Sequence, residues 1–535
     1  MSDEKVYLKR TQKRYMKFNL NKLIAFDTED DSKGNLLLAS FYDGKKFRVF
    51  QGNNIEKRID RYIRQHEKYF FVGLNVMYDL VNIYKLKNVL EFFKLYFGKT
   101  AFIFAKDEKK NTFFDLYWLM PYSLKEIGKI VGLDKLETDN FADEKYNKRD
   151  TEITYKAAKL FLNYLNTQRY EFGFTLASIS LKIFKRYYIK NHKFERYETD
   201  LIETLKQAYY GGRTENFVRG DIHEKINVYD VNSLYPYIMA NKFYPNPNTI
   251  RPDNKLHYYG IYEFDVQIKN DVHIPLLPYR GEKLLFPVGY FKTWATGAEI
   301  IKALEYKQIK NYTILRGFSF ARGEKYFSHF VQDIYKKRLK NENNFEKKVC
   351  KLLMNSLYGK FGQGRERTEF DGENFITVID ENFPENTIIP FAIFTTALAR
   401  IELFEYLQLC SKNGKVFYCD TDSIHTTSFL PTSKKLGALK LEGQFNFGKY
   451  LAPKVYFLDG SDGNIIHAKG IPQDMQKEFI KNLRVTFKKP NRLKESFKRG
   501  LIANEWHEIE KVFRDNTGKR NFKSDGSSLP LTINI

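Results

Sequence analysis

The chain has 535 residues, with 88 Lys and Arg against 65 Asp and Glu, for a formal net charge of +23. Such a length suggests roughly two to four domains, and the cationic excess implies a polyanionic partner, either nucleic acid or an anionic membrane surface. No run reaches the ~18 apolar residues of a spanning helix, which excludes a membrane-spanning segment and disfavours a membrane partner. The first residues lack the apolar core of a secretory signal. Three cysteines, Cys350, Cys410 and Cys419, contain no CxxC pair and support neither a disulfide framework nor a zinc site. A cytoplasmic protein is expected, with its cysteines acting as small buried hydrophobes.

Residues 20 to 165 read as mixed α/β. The runs LIAFDTE, NLLLASFY and YFFVGLN have the apolar content of strands, and residues 150–167 have helical apolar spacing. After residue 170 a second region begins. Its strands are EKINVYDV, YYGIYEFDVQI and GKVFYCDTDSIHTT, its clearest helix covers residues 330–358, and its end is basic and then turn-rich, as in a small accessory subdomain.

The chemistry lies in acidic residues. Asp27 and Glu29 alternate along the first strand and so share a face. Asp79 follows Asn75 by four residues, and Asp150, expected to open its helix, follows Tyr146 by four. Four carboxylates and a tyrosine can hold two metal ions and orient a water for in-line attack on a phosphodiester.

In the second region Asp420 and Asp422 of YCDTDS stand two apart on a β-rich segment, predicting carboxylates on the same side, a pattern suited to Mg²⁺. Asp230, at the end of the strand in NVYDVNSLYP, can complete that site from a neighbouring strand. In KLLMNSLYGKFG the residues Lys351, Asn355 and Tyr358 fall at i, i+4 and i+7, one helix face. Lys351 can offset triphosphate charge, and Tyr358 offers a flat face to a base or sugar. Lys454 and Tyr456 alternate in KVYF. Basic runs such as KKRLKNENNFEKK and FKKPNRLKESFKRG suit DNA phosphates, with binding that weakens steeply in salt.

In this order and combination the motifs resemble those of the family B DNA polymerases. Within that family they are most similar to the protein-primed branch, of the small Bacillus-phage type, from about residue 20 to the end. DVNSLYP, KLLMNSLYG and YCDTDS are similar to polymerase motifs A, B and C, and KVY to the KxY motif. DTE, NVMYD and YNKRD resemble the three exonuclease motifs, and AYYGGR the YxGG motif joining the two domains.

The resemblance implies an α/β multidomain fold, an RNase H-like 3′→5′ exonuclease domain followed by a right-hand polymerase domain with two insertions. The divisions it implies are exonuclease 1–168, palm 169–241 and 391–480, fingers 327–362, thumb 481–535, and terminal-protein-region insertions at 242–326 and 363–390. It makes Asp230 and Asp422 the polymerase metal ligands, with the Val231 carbonyl beside them and Asp420 in support, and Tyr235 the gate against a ribose 2′-OH. Lys351, Asn355 and Tyr358 would meet the incoming nucleotide. Tyr209, Gly211, Gly212, Thr396, Arg400, Lys454 and Tyr456 would contact DNA. Asp27, Glu29, Asp79 and Asp150 would bind the exonuclease metals, Tyr146 would orient the water, Asn75 would hold the frayed primer end, and Lys135 is the candidate exonuclease lysine.

Two Mg²⁺ per site, replaceable by Mn²⁺, are implied as cofactors. The implied partners are template and primer DNA, dNTPs and a terminal protein, with the chain a monomer or a heterodimer with that protein. The alternatives left open are a DNA-primed or repair enzyme of the same family, and an exonuclease with an inactive polymerase half.

Overall fold

The computed structural model describes residues 7–535 apart from 12–13, 32, 100, 139, 141, 190, 371–373, 462, 491–505 and 515–517. The strand Leu23–Asp30 lies inside a seven-stranded sheet, antiparallel to Leu36–Tyr42 and parallel to Phe70–Gly73. Its period of two sorts its side chains. Leu23 and Ala25 join the core under the helix Glu144–Thr167, whereas Ile24 and Phe26 pack with Ile55, Ile59, Val76 and Leu80 from the two helices on the opposite face. Continuing that alternation points Asp27 and Glu29 at the helix Glu144–Thr167, and Thr28 at Asp79.

That helix begins earlier than its apolar spacing predicted. Asp143 is its N-cap, accepting the Lys145 and Tyr146 amides at 2.9 and 3.2 Å, so Asp150 sits inside the helix and not at its opening. Tyr146 and Asp150 therefore lie one turn apart on one face.

A five-stranded sheet lies within the ranges expected as palm, in the order Thr214–Asn216, Val416–Asp420, Ser423–Thr426, Ile226–Val231 and Leu439–Phe445. The single strand expected over 414–427 is a hairpin. Thr421 takes a left-handed φ of 59°, and Asp420 pairs with Ser423. Behind the sheet runs the helix Ile389–Asn413, buried at nearly every position as far as Phe404 and apolar around its whole circumference for that reason.

The helix expected over 330–358 is two, Ser328–Lys340 and Asn344–Ser356, packed together in the range expected as fingers, with a short helix Tyr358–Phe361 following. Asn343 caps the second by accepting the Phe345 amide at 2.9 Å. The asparagines at 341, 343 and 344 favour such a cap over helix interior, and the chain turns there.

Between Lys242 and Arg322 the chain builds a second five-stranded sheet, carried by Gly260–Ile268, Val288–Thr296 and Ile309–Ser319 with the helix Gly297–Glu305. The strand Thr532–Asn534 returns to this sheet, parallel to Val288–Tyr290, so the end of the range expected as thumb belongs to the first insertion's sheet. The hairpin Glu366–Phe370 with Phe375–Ile379 reaches the first domain: Thr368 donates to the Gly98 and Lys99 carbonyls, and Phe375 meets Phe97 edge-on at 5.4 Å. Most of the basic run FKKPNRLKESFKRG lies outside the described residues.

Candidate active sites

The first acidic centre gathers Asp27, Glu29 and Asp150, each with a carboxylate oxygen within 4.8 Å of the others. The Asn147 amide donates to Asp27 at 2.8 Å, and Thr28 donates to Asp79 at 2.7 Å. Burial pushes the Asp27 carboxyl well above its ordinary range, and Asp79, Glu29 and Asp150 add repulsion. Burial and Asp150 push Glu29 up to about 7. The other oxygens of Asp79 and Asp150 are buried without a hydrogen-bond partner. Crowded, desolvated carboxylates with unused oxygens are a donor set for hard divalent cations, so these residues fit Mg²⁺ or Mn²⁺.

One cation is already present. The Lys135 ammonium pairs with Asp150 and donates to the Tyr146 hydroxyl at 2.6 Å, which puts Lys135 inside the centre despite its atypical surroundings in the sequence. Asn75 is exposed at the rim, with a left-handed φ of 70°. Its amide donates to Asp115, which also accepts from Tyr117. Asn147 holds Asp27 and Asp115 anchors the Asn75 turn; neither was singled out, although Asn147 lies within YNKRD.

The second centre lies at the palm hairpin. Asp230 pairs across the sheet with Ser423, and the Val231 amide donates to the Asp422 carbonyl at 2.8 Å. Because the chain reverses at Thr421, Asp420 and Asp422 are not alternating residues of one strand, and they have different surroundings. Asp420 pairs with Lys454 and accepts from Thr214 at 2.8 Å. Burial acts to raise its pKa, but these partners more than offset it and hold the carboxyl below its ordinary value. Among the described residues, Asp422 and Asp230 have no such ion pair. Burial, with repulsion from Asp422, pushes Asp230 up to about 7; burial and Asp420 push Asp422 up to about 6. This pair has spare charge for a cation, while Asp420 is already neutralised.

The Tyr235 and Tyr358 rings pack against each other, tilted by 34° with centroids 4.5 Å apart. Lys351 lies in a groove of about 770 Å³ that also exposes Arg338, Lys347, Lys348 and Lys440. Arg338, Lys347 and Lys348 belong to the basic run KKRLKNENNFEKK noted in the sequence, whereas Lys440, on the strand Leu439–Phe445, was not singled out. Asn355 follows Lys351 by one turn. A Cβ on Gly211 would meet nothing within 4 Å, whereas one on Gly212 would lie 2.6 Å from the Thr421 hydroxyl: the loop presses on the catalytic turn from one side and is open on the other. Tyr209 packs against Gly362. Tyr456 packs on Tyr418 and His425, and Lys454 has a left-handed φ of 64°.

Two expected DNA contacts are corrected. Thr396 and Arg400 are each 2% exposed. The Thr396 hydroxyl donates within its own helix, to the Ile393 and Ala392 carbonyls. Arg400 pairs with buried Glu299 and donates to the carbonyls of Tyr210 and Gly211 at 2.9 and 3.0 Å. Helix burial turns both side chains inward, and Arg400 holds the Tyr210–Gly211 loop.

A nuclease-type sheet with four carboxylates, followed by a palm, fingers and a second acidic pair, defines a right-hand polymerase fold behind an RNase H-like exonuclease domain. The chain belongs to the type B DNA polymerases of organelles and viruses, whose family model matches residues 78–389, more than half its length. Relatives include a probable DNA polymerase of Podospora anserina, 26% identical over 370 residues, covering 56% of this chain and 30% of that protein. The DNA polymerase of Bacillus phage Nf is 27% identical over 404 residues, 66% of this chain and 69% of its own. The match thus spans less than a third of the fungal protein's length and about seven tenths of the phage protein's. The structure of phi29 DNA polymerase with primer-template DNA and incoming nucleotide superposes with a TM-score of 0.74 over 92% of this chain and 100% of that one, at 19% identity. Among the described residues no helix is long and apolar enough to cross a membrane.

Proposed function

We propose that the chain is a template-directed DNA polymerase with its own 3′→5′ proofreading exonuclease, replicating a linear viral or plasmid genome by protein-primed initiation and strand displacement. The observation that carries this reading is the pair of separate acidic centres in one chain, each with a lysine at its edge, in a member of a DNA polymerase family. The Bacillus-phage relatives favour the protein-primed branch, with a terminal protein as partner beside DNA and dNTPs, and the domain divisions given above are proposed with it.

Asp230, Asp422 and the Val231 carbonyl would hold metal in the polymerase site; Asp27, Glu29, Asp79 and Asp150 would do so in the exonuclease. Paired Mg²⁺ ions, when bound, supply Lewis-acid charge at the attacking and leaving oxygens of phosphoryl transfer. The chain's own residues do the rest. Lys351 and its groove hold the triphosphate and offset charge on the departing pyrophosphate. Tyr358 supports the nascent pair, Asn355 lines it, and Tyr235, held by its ring contact with Tyr358, closes the space a ribose 2′-OH needs. Lys454 stands between Asp420 and the primer strand, with Tyr456 beside it. In the exonuclease, Tyr146 orients the attacking water, Lys135 fixes Tyr146 and Asp150, and exposed Asn75 meets the frayed primer end.

The test is extension of a primed single-stranded circle by the purified chain with Mg²⁺ and dNTPs. Product longer than the circle is expected. Product stopping at one circle length would remove unaided strand displacement, and primer degradation without any extension would leave only a nuclease.

A further inference from the structure

The segment ahead of the first acidic strand is a strap. Tyr7 and Leu8 pair antiparallel with Glu195 and Phe194, and Leu8 is 1% exposed. The Thr11 amide donates to the Lys185 carbonyl at 3.0 Å; beyond it, the Tyr15 hydroxyl and the Phe18 amide both donate to Asn166. The strap thus runs from the exonuclease helix to the first palm residues. Anchored on both sides, Lys9 and Arg10 are exposed along a groove of about 600 Å³, whose other walls carry Lys182, Lys185, Lys193 and Lys360. Two carboxylates, Glu171 and Glu385, also line it, but Glu171 is already paired with Lys182 and Arg186.

Six cations against two carboxylates make a polyanion site. It shares no residue with the Lys351 groove, so it is not the triphosphate site. Lys360 lies two residues past Tyr358 and donates to Gln363, and burial pulls its ammonium below the ordinary lysine value, a cost that a phosphate would relieve. With primer at Lys454 and nucleotide at Lys351, the phosphates left to pass beside Tyr358 are those of the template. The groove is walled by the strap on one side and by Glu385 and Asn386, at the end of the second insertion, on another.

Resting on the polymerase reading, we propose that Lys9 and Arg10 of the strap are DNA-binding residues that close a phosphate groove over the unpaired template strand ahead of the polymerase site.

The test is equilibrium binding, by fluorescence anisotropy in EDTA, of primer–templates with a one-nucleotide or an eight-nucleotide 5′ template overhang. The wild-type chain should bind the long overhang about tenfold more tightly than the short one, and Lys9→Ala/Arg10→Ala should lose most of that gain while leaving the short-overhang affinity unchanged. Its plot of log affinity against log salt on the long overhang should be shallower by about 1.4, the release expected for two single-strand phosphates. Lys193→Ala, on the opposite wall, should act in the same direction without touching the strap. An equal loss on both overhangs would make the effect general charge, and no loss on either would remove the strap from the DNA path; each overturns the proposal. Failure of the wild-type chain to bind either primer–template would instead overturn the polymerase reading beneath it.

Discussion

At the scale of single residues, the two acidic centres differ in how their charge is compensated, and that difference can be tested. Asp422→Ala should reduce primer extension by at least ~10³-fold while sparing degradation of single-stranded DNA, because it removes one of the two uncompensated palm carboxylates. Asp27→Ala with Glu29→Ala should do the reverse. Parallel extension and degradation assays separate the outcomes, and equal loss of both activities in either variant would refute two independent sites. Tyr235→Val should admit ribonucleotides, read as incorporation of rNTP against dNTP. Gly212→Ala is a sharper probe, since its Cβ would press on the Thr421 side chain. It should slow extension by ~10-fold or more, the scale expected when a reacting group is displaced by a fraction of an ångström, and leave degradation unchanged.

At the scale of elements, the Arg400–Glu299 pair joins three of them. Glu299 accepts from the Thr296 amide and hydroxyl at the start of its helix and from Arg400 on the buried helix, and Arg400 holds the Tyr210–Gly211 carbonyls. Arg400→Met should lower stability by about 3–5 kcal/mol because Glu299 is left buried and unpaired, while Arg400→Met with Glu299→Leu should recover much of that loss in urea denaturation. This network also marks where the sequence was legible and where it was not. Period-two alternation placed Asp27 and Glu29 on one face, and four-residue spacing placed Tyr146 and Asp150 together, because each constraint acts within one element. The same alternation failed at Asp420 and Asp422, since a left-handed Thr421 reverses the chain without a glycine to announce it. Thr396 and Arg400 were misplaced for a different reason: an all-round apolar helix is buried on every face, and no local pattern tells an inward arginine from an outward one. Asp115 and Asn147 were missed because their roles depend on partners 40 and 120 residues away.

At the scale of the whole molecule, pH and backbone strain act on the fold at once. His425 is buried in the palm against Tyr450, 2.9 Å from its hydroxyl, and burial lowers its pKa to about 3. Below about pH 6.5 the unfolded chain takes up a proton that folded His425 refuses, so this ring makes the fold less stable as pH falls toward 3, by up to about 1.4 kcal/mol per pH unit. His425→Gln should flatten that slope relative to the wild type in denaturation series from pH 7 to 5. An unchanged slope would mean that other groups control acid sensitivity.

Apart from Asn54 and Leu483 at helix caps and Lys85 at a helix kink, left-handed backbone at the described residues other than glycine is divided between two kinds of turn. Asn75, Ser233, Thr421 and Lys454 lie at the acidic centres, whereas Lys68, Lys110, Arg169 and Lys307 lie at turns with no part in either. Each such residue costs roughly 1 kcal/mol relative to glycine. The second group is therefore a reserve for engineering. Glycine at those four idle turns should raise the melting temperature in small additive steps while both activities stay constant, so heat tolerance in this chain can be improved without trading against catalysis.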